Sequence, residues 1–199
     1  MEITYLEKKY LDEVVGIHQK SLPYDFLPLL GRDFLKNVFY DFVLTDVNSR
    51  CLVCVDNGKC IGFSLLTLDS GNFLRIIISR YFFRIGYYFL KSAIKDPGII
   101  PFAIGLFFSI THNDKEVSDF AEIYEIAVDE GARGSGVGDA LVRKSIAVAS
   151  SENLNGIKIK TLKSNKNWIS YFLRKNWKIS KEIIIFKNTY VVLEKTFIK

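Results

Sequence analysis

The sequence predicts a single α+β domain, on three observations. Strand-like and helix-like runs alternate along the whole chain. An Asn57-Gly58 turn joins two of the strands into a hairpin. A strand, a glycine-rich turn and a helix then follow one another over residues 122–150. The 199 residues suffice for one domain, 1–199, with a full hydrophobic core, and no linker, repeat or low-complexity tract divides them. At 49% hydrophobic and 25% charged residues, the chain is globular rather than disordered.

The elements follow in order. Glu2 to Tyr5 reads as a strand. Tyr10 to Ser21 reads as a helix, with Leu11, Val14, Val15 and Ile17 near helical spacing, and Pro23 and Pro28 break the pattern after it. Arg32 to Val43 is a second helix with Phe34, Leu35, Val38, Phe39 and Phe42 on its apolar side. Cys51–Val55 and Cys60–Thr67 form the hairpin, because Asn57-Gly58 supplies the positive φ values of a tight turn. Residues 72–117 are less regular. Arg80 to Lys95 reads as a helix with Arg80, Arg84, Lys91 and Lys95 roughly on one side, and a second apolar helix is expected over Ile99–Ile110. Glu122–Val128 is a strand, Val137–Ser150 a helix, Gly156–Leu162 a strand and Asn167–Asn176 a short helix. Ile183–Phe186 and Tyr190–Leu193 close the chain as a hairpin around Asn188-Thr189.

A net charge of +5 suits an anionic ligand such as a nucleotide. The Lys and Arg residues are scattered, without a basic run, and no nucleic-acid partner is expected. Cys51, Cys54 and Cys60 are too few for a disulfide framework. Cys51 and Cys54 form a CxxC, but a three-residue offset puts them on opposite faces of a strand, so they read as packing residues and no metal site is expected. The N-terminus lacks the features of a signal peptide and no uncharged apolar run reaches spanning length, which makes a cytoplasmic location the expectation. Aromatics at 14% exceed the needs of an ordinary core and point to a second apolar surface, compatible with a homodimer.

The chemistry-bearing segment is Arg133-Gly134-Ser135-Gly136-Val137-Gly138. Glycines let the backbone approach a phosphate and expose successive amides, the helix that follows adds the partial positive charge of its N-terminus, and Arg133 adds a full one. The Lys-Ser/Thr that ends a P-loop is missing, and the glycines do not fit dinucleotide spacing.

Residues 122–138 resemble motif A of the GNAT superfamily of N-acetyltransferases: a strand ending in an apolar triplet, a short acidic turn, then Arg-x-x-Gly-x-Gly, matched here by Arg133, Gly136 and Gly138. The element order over about residues 2–70 and 120–197 is similar to the whole family fold. The resemblance implies a mixed, mostly antiparallel sheet flanked by helices, with residues 72–117 as a helical insertion between strands 3 and 4. It implies acetyl-CoA as co-substrate, with its pyrophosphate on the amides of Arg133, Gly134, Ser135, Gly136, Val137 and Gly138. Its pantetheine arm would lie along the backbone of Ile126, Ala127 and Val128, and the amide of Val128 would point at the thioester oxygen.

Transfer to an amine needs a base. Glu122 lies six residues before Val128, where several family members carry their catalytic glutamate, and is the candidate, acting directly or through water. In a regular strand Glu122, Tyr124, Ile126 and Val128 share one face and Glu125 the other, so only one carboxylate can face the acetyl group. The family often protonates the departing thiolate with a tyrosine in a helix resembling Asn165 to Trp177. Asn165 matches, but Phe172 holds the tyrosine's place and Tyr171 the phenylalanine's, so either the helix is rotated, another tyrosine serves or no acid is used, with Tyr171 the candidate; Asn165 and Phe172 are expected on the cofactor side. His18 and His112 read as surface or satisfied histidines.

The insertion has three readings: a cap on the acceptor pocket, a dimer surface, or a membrane-facing helix. Packing or capping is favoured over membrane contact, because basic faces are common on soluble helices. The function expected is acetyl transfer to a primary amine of a small molecule, with a nucleotide-linked amino sugar suggested by the basic, aromatic insertion. A protein N-terminal or lysine acetyltransferase and a non-catalytic CoA-binding module are the alternatives.

Overall fold

The computed structural model describes all residues except 23–25, 102–118, 186–187 and 198–199. Seven strands form one sheet in the order β1-β2-β3-β4-β5-β7-β6: β1 Glu2–Tyr5, β2 Ser49–Asp56, β3 Lys59–Thr67, β4 Phe120–Val128, β5 Gly156–Leu162, β6 Lys178–Ile185 and β7 Asn188–Thr196. Every neighbouring pair is antiparallel except β4 and β5, so the sheet is mixed and mostly antiparallel, as expected. The helices are α1 Leu11–Ser21, α2 Phe26–Leu29, α3 Arg32–Phe34, α4 Tyr40–Thr45, α5 Phe73–Lys95, α6 Val137–Ser151 and α7 Lys166–Arg174.

Two departures from expectation have local causes. The helix expected over Arg32–Val43 is divided by a π-helical turn, Leu35–Phe39, between α3 and α4. The wider turn lets Phe34, Leu35, Val38, Phe39, Tyr40 and Phe42 all reach the core, more residues than one stripe of a regular helix can bury. α5 begins two turns before Arg80, because Phe73 and Ile77 are buried and anchor it, and its backbone kinks at Tyr81. Of the helix expected over Ile99–Ile110, only residues 99–101 are among those described; His112 lies outside them.

The core has two halves, one on each face of the sheet. The first joins α1, α3, α4 and the buried side of α5 through Val14, Val15, Phe34, Phe39, Phe63 and Phe73. Much of the aromatic surplus is spent here, in edge-to-face contacts such as Phe39–Phe73, Phe42–Phe73 and Tyr40–Phe63. The second joins α6 and α7 through Ile123, Leu141, Ile157, Phe172 and Leu193. Cys51 and Cys54 fall in different halves, on opposite faces of β2 as their spacing requires. All three cysteines are free and buried, and burial pushes the Cys60 thiol up to about 11.

One irregularity in β4 matters for function. Leu65 of β3 opposes Glu125, but Leu66 opposes Ile123, which leaves Tyr124 as an extra residue in a β-bulge. The alternation of faces therefore slips by one. Ala121 and Ile123 before the bulge, and Ile126 and Val128 after it, all pack on the α6 side, whereas Tyr124 and Ala127 pack with the first half. The expectation that Glu122, Tyr124, Ile126 and Val128 share one face is thus corrected, and with it the argument that only one of Glu122 and Glu125 can serve.

Candidate functional site

The site lies where β4 and β5 separate. The two strands pair from Phe120 and Gly156 as far as Ile123 and Ile159; past that point β5 stays with β7 through Leu162 and leaves β4 alone. The edge of β4 from Tyr124 to Val128 thus faces an opening. At its end the amide of Asp129 donates to the carbonyl of Ile61 on the β3 side, at 2.9 Å. Successive amides of a strand point to opposite edges, so the Val128 amide, and the Ile126 amide two residues earlier, point into the opening. Among the described residues, Ile126 and Val128 therefore present both a free edge and an apolar wall, while Ala127 pairs with Phe63 and packs on the other face.

The glycine turn sits at the mouth of this opening. Gly134 and Gly136 have φ of 80° and 87°, the left-handed conformation that glycine tolerates best. Gly136 is the N-cap of α6 and has no side chain to satisfy the first amides. Among the described residues, the amides of Gly136, Val137 and Gly138 have no acceptor, which leaves the start of a 15-residue helix open to an anion. Arg133 is pinned beside it, its Nε donating to the Val128 carbonyl at 3.4 Å. Ser135 instead folds onto the turn, donating its hydroxyl to the Ala132 carbonyl at 2.6 Å. Val137 is buried against β3 at Gly62, where a Cβ would lie 2.9 Å from its Cγ1. That close approach needs glycine at position 62. Its sequence signal was a glycine interrupting an apolar strand.

Trp168, which sequence reasoning did not single out, forms the opposite wall. Its ring would meet a Cβ on Gly138 at 3.8 Å, as would Val128, so the indole stands close to both α6 and the end of β4. It stacks on Tyr171, with centroids 5.0 Å apart and planes 11° apart. Asn165 caps α7, its Oδ1 accepting from the Trp168 amide at 3.4 Å. Phe172 is fully buried against Trp168, Tyr171 and Trp177. It is a core residue, packed behind the wall that Trp168 forms.

Tyr171 is hydrogen-bonded to the first turn of α6. Its hydroxyl donates to Asp139 Oδ1 at 2.6 Å, and burial together with that carboxylate pushes its pKa well up. Asp139 is held in turn by Arg143 and by Lys175 at 3.2 Å, and the Tyr171 hydrogen bond foremost keeps its carboxyl below the usual range.

Glu122 is 2% exposed and lies one residue before the last β4–β5 pair. Lys160 Nζ stands 3.0 Å from its Oε1 and 3.2 Å from its Oε2, and Lys158 Nζ 4.0 Å away. A buried carboxylate so paired is strongly held, because removing its partner would leave an uncompensated charge. Behind β4, His18 is fully buried. Its Nδ1 is hydrogen-bonded to the Tyr40 hydroxyl at 2.9 Å, its Nε2 has no partner among the described residues, and burial lowers its pKa to about 4. The expectation of a surface or satisfied histidine is only half met.

Comparison with known proteins agrees with this geometry. A sequence model of the acetyltransferase (GNAT) family matches residues 11–176. No curated protein matches. Among solved structures, the chain is similar to the ribosomal-protein-S18-alanine N-acetyltransferase of Escherichia coli (TM-score 0.63, 12% identity, covering 98% of this chain and 92% of that one). It is similar also to the ribosomal-protein-alanine N-acetyltransferase of Brucella melitensis (0.65, 10%, 99% and 100%). A third likeness is to a protein of Bacillus anthracis assigned as a streptothricin acetyltransferase and solved with acetyl coenzyme A (0.52, 14%, 79% and 68%).

Proposed function

The chain belongs to the acetyltransferase (GNAT) family, an acyltransferase using acetyl-CoA, and from that premise we propose that it acetylates a primary amine of a small molecule in the opening between β4 and β5. The cofactor half of this reading uses the open amides of Gly136, Val137 and Gly138 for the pyrophosphate, with Arg133 beside them. The free edge at Ile126 and Val128 takes the pantetheine arm and the thioester oxygen, where fixed amides stabilise the charge that develops on that oxygen. Asn165 contributes by setting the start of α7, and so the position of Trp168, which bounds the cleft.

Glu122 is the base of the proposal, placed where an amine entering the opening would meet it. Lys160 must yield one oxygen, or a water must carry the proton. The thiolate leaves without a tyrosine donor. A thiol pKa of about 8.5 makes it a tolerable leaving group.

The observation that carries the small-molecule reading is the cover on the acceptor side. Phe73, in the first turn of α5, lies 4.6 Å from the Tyr124 ring and is itself buried, so this face of β4 is roofed beside Glu122 rather than left as a groove. The suggestion of a nucleotide-linked amino sugar gains little support. Arg84 lies eleven residues past Phe73, roughly 16 Å along the helix, and Lys91 and Lys95 lie further still. A protein N-terminus is the second reading. Its support is that the structures spanning nearly all of this chain include two ribosomal-protein alanine acetyltransferases. Thiol release from acetyl-CoA, measured with free amino sugars, their UDP- and dTDP-linked forms, polyamines and N-terminal peptides, separates the two. Turnover of peptides alone would overturn the small-molecule reading.

A further inference from the structure

The packing reading of the insertion accounts for only one side of α5. Phe73, Ile77 and Tyr81 are buried, and Ile85, Tyr88 and Phe89 lie against the core. On the other side Phe83 is 88% exposed and Ile94 83%, with Tyr87 and Leu90 exposed between them. Positions 83, 87, 90 and 94 follow the i, i+4, i+7, i+11 spacing of a single helical stripe. Beside that stripe runs a row of cations, Arg84, Lys91 and Lys95, each next in sequence to a stripe residue. From Ser70 to Lys95 there are five cations and no acidic residue. The same cations continue off the helix. A cleft of about 880 Å³ beside the stripe is lined by Lys8, Lys36, Arg84 and Asp41 together with Phe83 and Tyr87, and Lys36 is held there by Asp12 at 2.8 Å.

We propose that this face of α5 docks the protein onto a lipid bilayer with anionic headgroups. Apolar and aromatic side chains enter the boundary between headgroups and acyl chains, while the adjacent cation row and Lys8 meet lipid phosphates. Charge selects the occupant. A second copy docked α5 against α5 would set two cation-only helices together, and the nearby Asp12 and Asp33 already face Lys36 and Lys91 of their own chain. The helix lies on the membrane rather than across it, since no described helix is long and apolar enough to span one.

Flotation of the full-length protein with vesicles tests this. Binding is expected to vesicles of phosphatidylcholine plus phosphatidylglycerol, to fall with added salt, and to be far weaker on phosphatidylcholine alone. Lys91→Gln and Lys95→Gln should each weaken it about fivefold, from about 1 kcal/mol per cation at a membrane surface. Phe83→Ser with Leu90→Ser should abolish it. All four positions are exposed, so melting temperature and its rise on adding CoA should be unchanged and report an intact fold. No binding to the anionic vesicles, equal binding by wild type and variants, or a dimer in sedimentation that Phe83→Ser and Leu90→Ser dissolve would each overturn the proposal.

Discussion

On the α6 side of β4 the candidate site is made mostly of backbone: the edge at Ile126 and Val128 and the amides of Gly136 to Gly138, unpaired among the described residues. On the α1 and α5 side it is made of side chains from distant segments. Glu122 is held by Lys160, Tyr124 lies under Phe73, and His18 packs behind them with Tyr40 and Phe63. A backbone site tolerates many side chains but demands glycine at fixed places. A side-chain site demands particular partners that any segment can supply.

The largest expected effect tests the side-chain half. Glu122→Gln should lower kcat by at least about 10²-fold if Glu122 is the base, with little change in the KM for acetyl-CoA. Glu125→Gln should change kcat only slightly; the reverse order would move the base across the bulge. Next comes a pH effect. His18 titrates at about 4 in the fold against an ordinary 6.5, because burial disfavours its charged form. The unfolded chain therefore takes up the proton first as pH falls. The stability contributed by neutral His18 is complete above about 6.5 and is lost progressively down to about 4, some 3 kcal/mol in all. Melting temperature against pH should fall across that window and flatten in His18→Gln.

On the backbone half, Gly136→Ala forces a non-glycine residue into the left-handed region, at about 1–2 kcal/mol. It should lower the melting temperature and raise the KM for acetyl-CoA, leaving kcat nearly intact. The smallest effect is expected of Tyr171→Phe. With its hydroxyl tied to Asp139, kcat should change by no more than a few fold and the alkaline limb of the pH profile should not move. A large loss of kcat with a shifted alkaline limb would restore Tyr171 as the acid.

Particular residues show why some of this was legible and some was not. The Asn57-Gly58 turn, the strand of residues 156–162 and the helix after Gly136 were readable because each is dictated by local chemistry: positive φ, alternation, and an uncapped helix start. The π-helical turn at Leu35–Phe39 was not, because it answers to the number of large residues the first core half must absorb. The bulge at Tyr124 leaves no mark in composition or period. It arises from the pairing with β3, and it reassigns every side chain after it to the other face. Trp168 reads as one more aromatic in an amphipathic helix until α7 is seen beside Gly138. Phe172 and Tyr171 read as site residues until one is found in the core and the other on Asp139.

By itself, then, the sequence determined the order of elements, the mostly antiparallel sheet, the family and the glycine turn that opens α6, because local periodicity and glycine chemistry decide those. Only the tertiary structure decided where β4 and β5 part, which side chains bound the opening, where the bulge turns the face of β4 and which face of α5 is exposed. Each of these depends on where strands part and on which distant side chains are brought together, and no local rule of the chain encodes that.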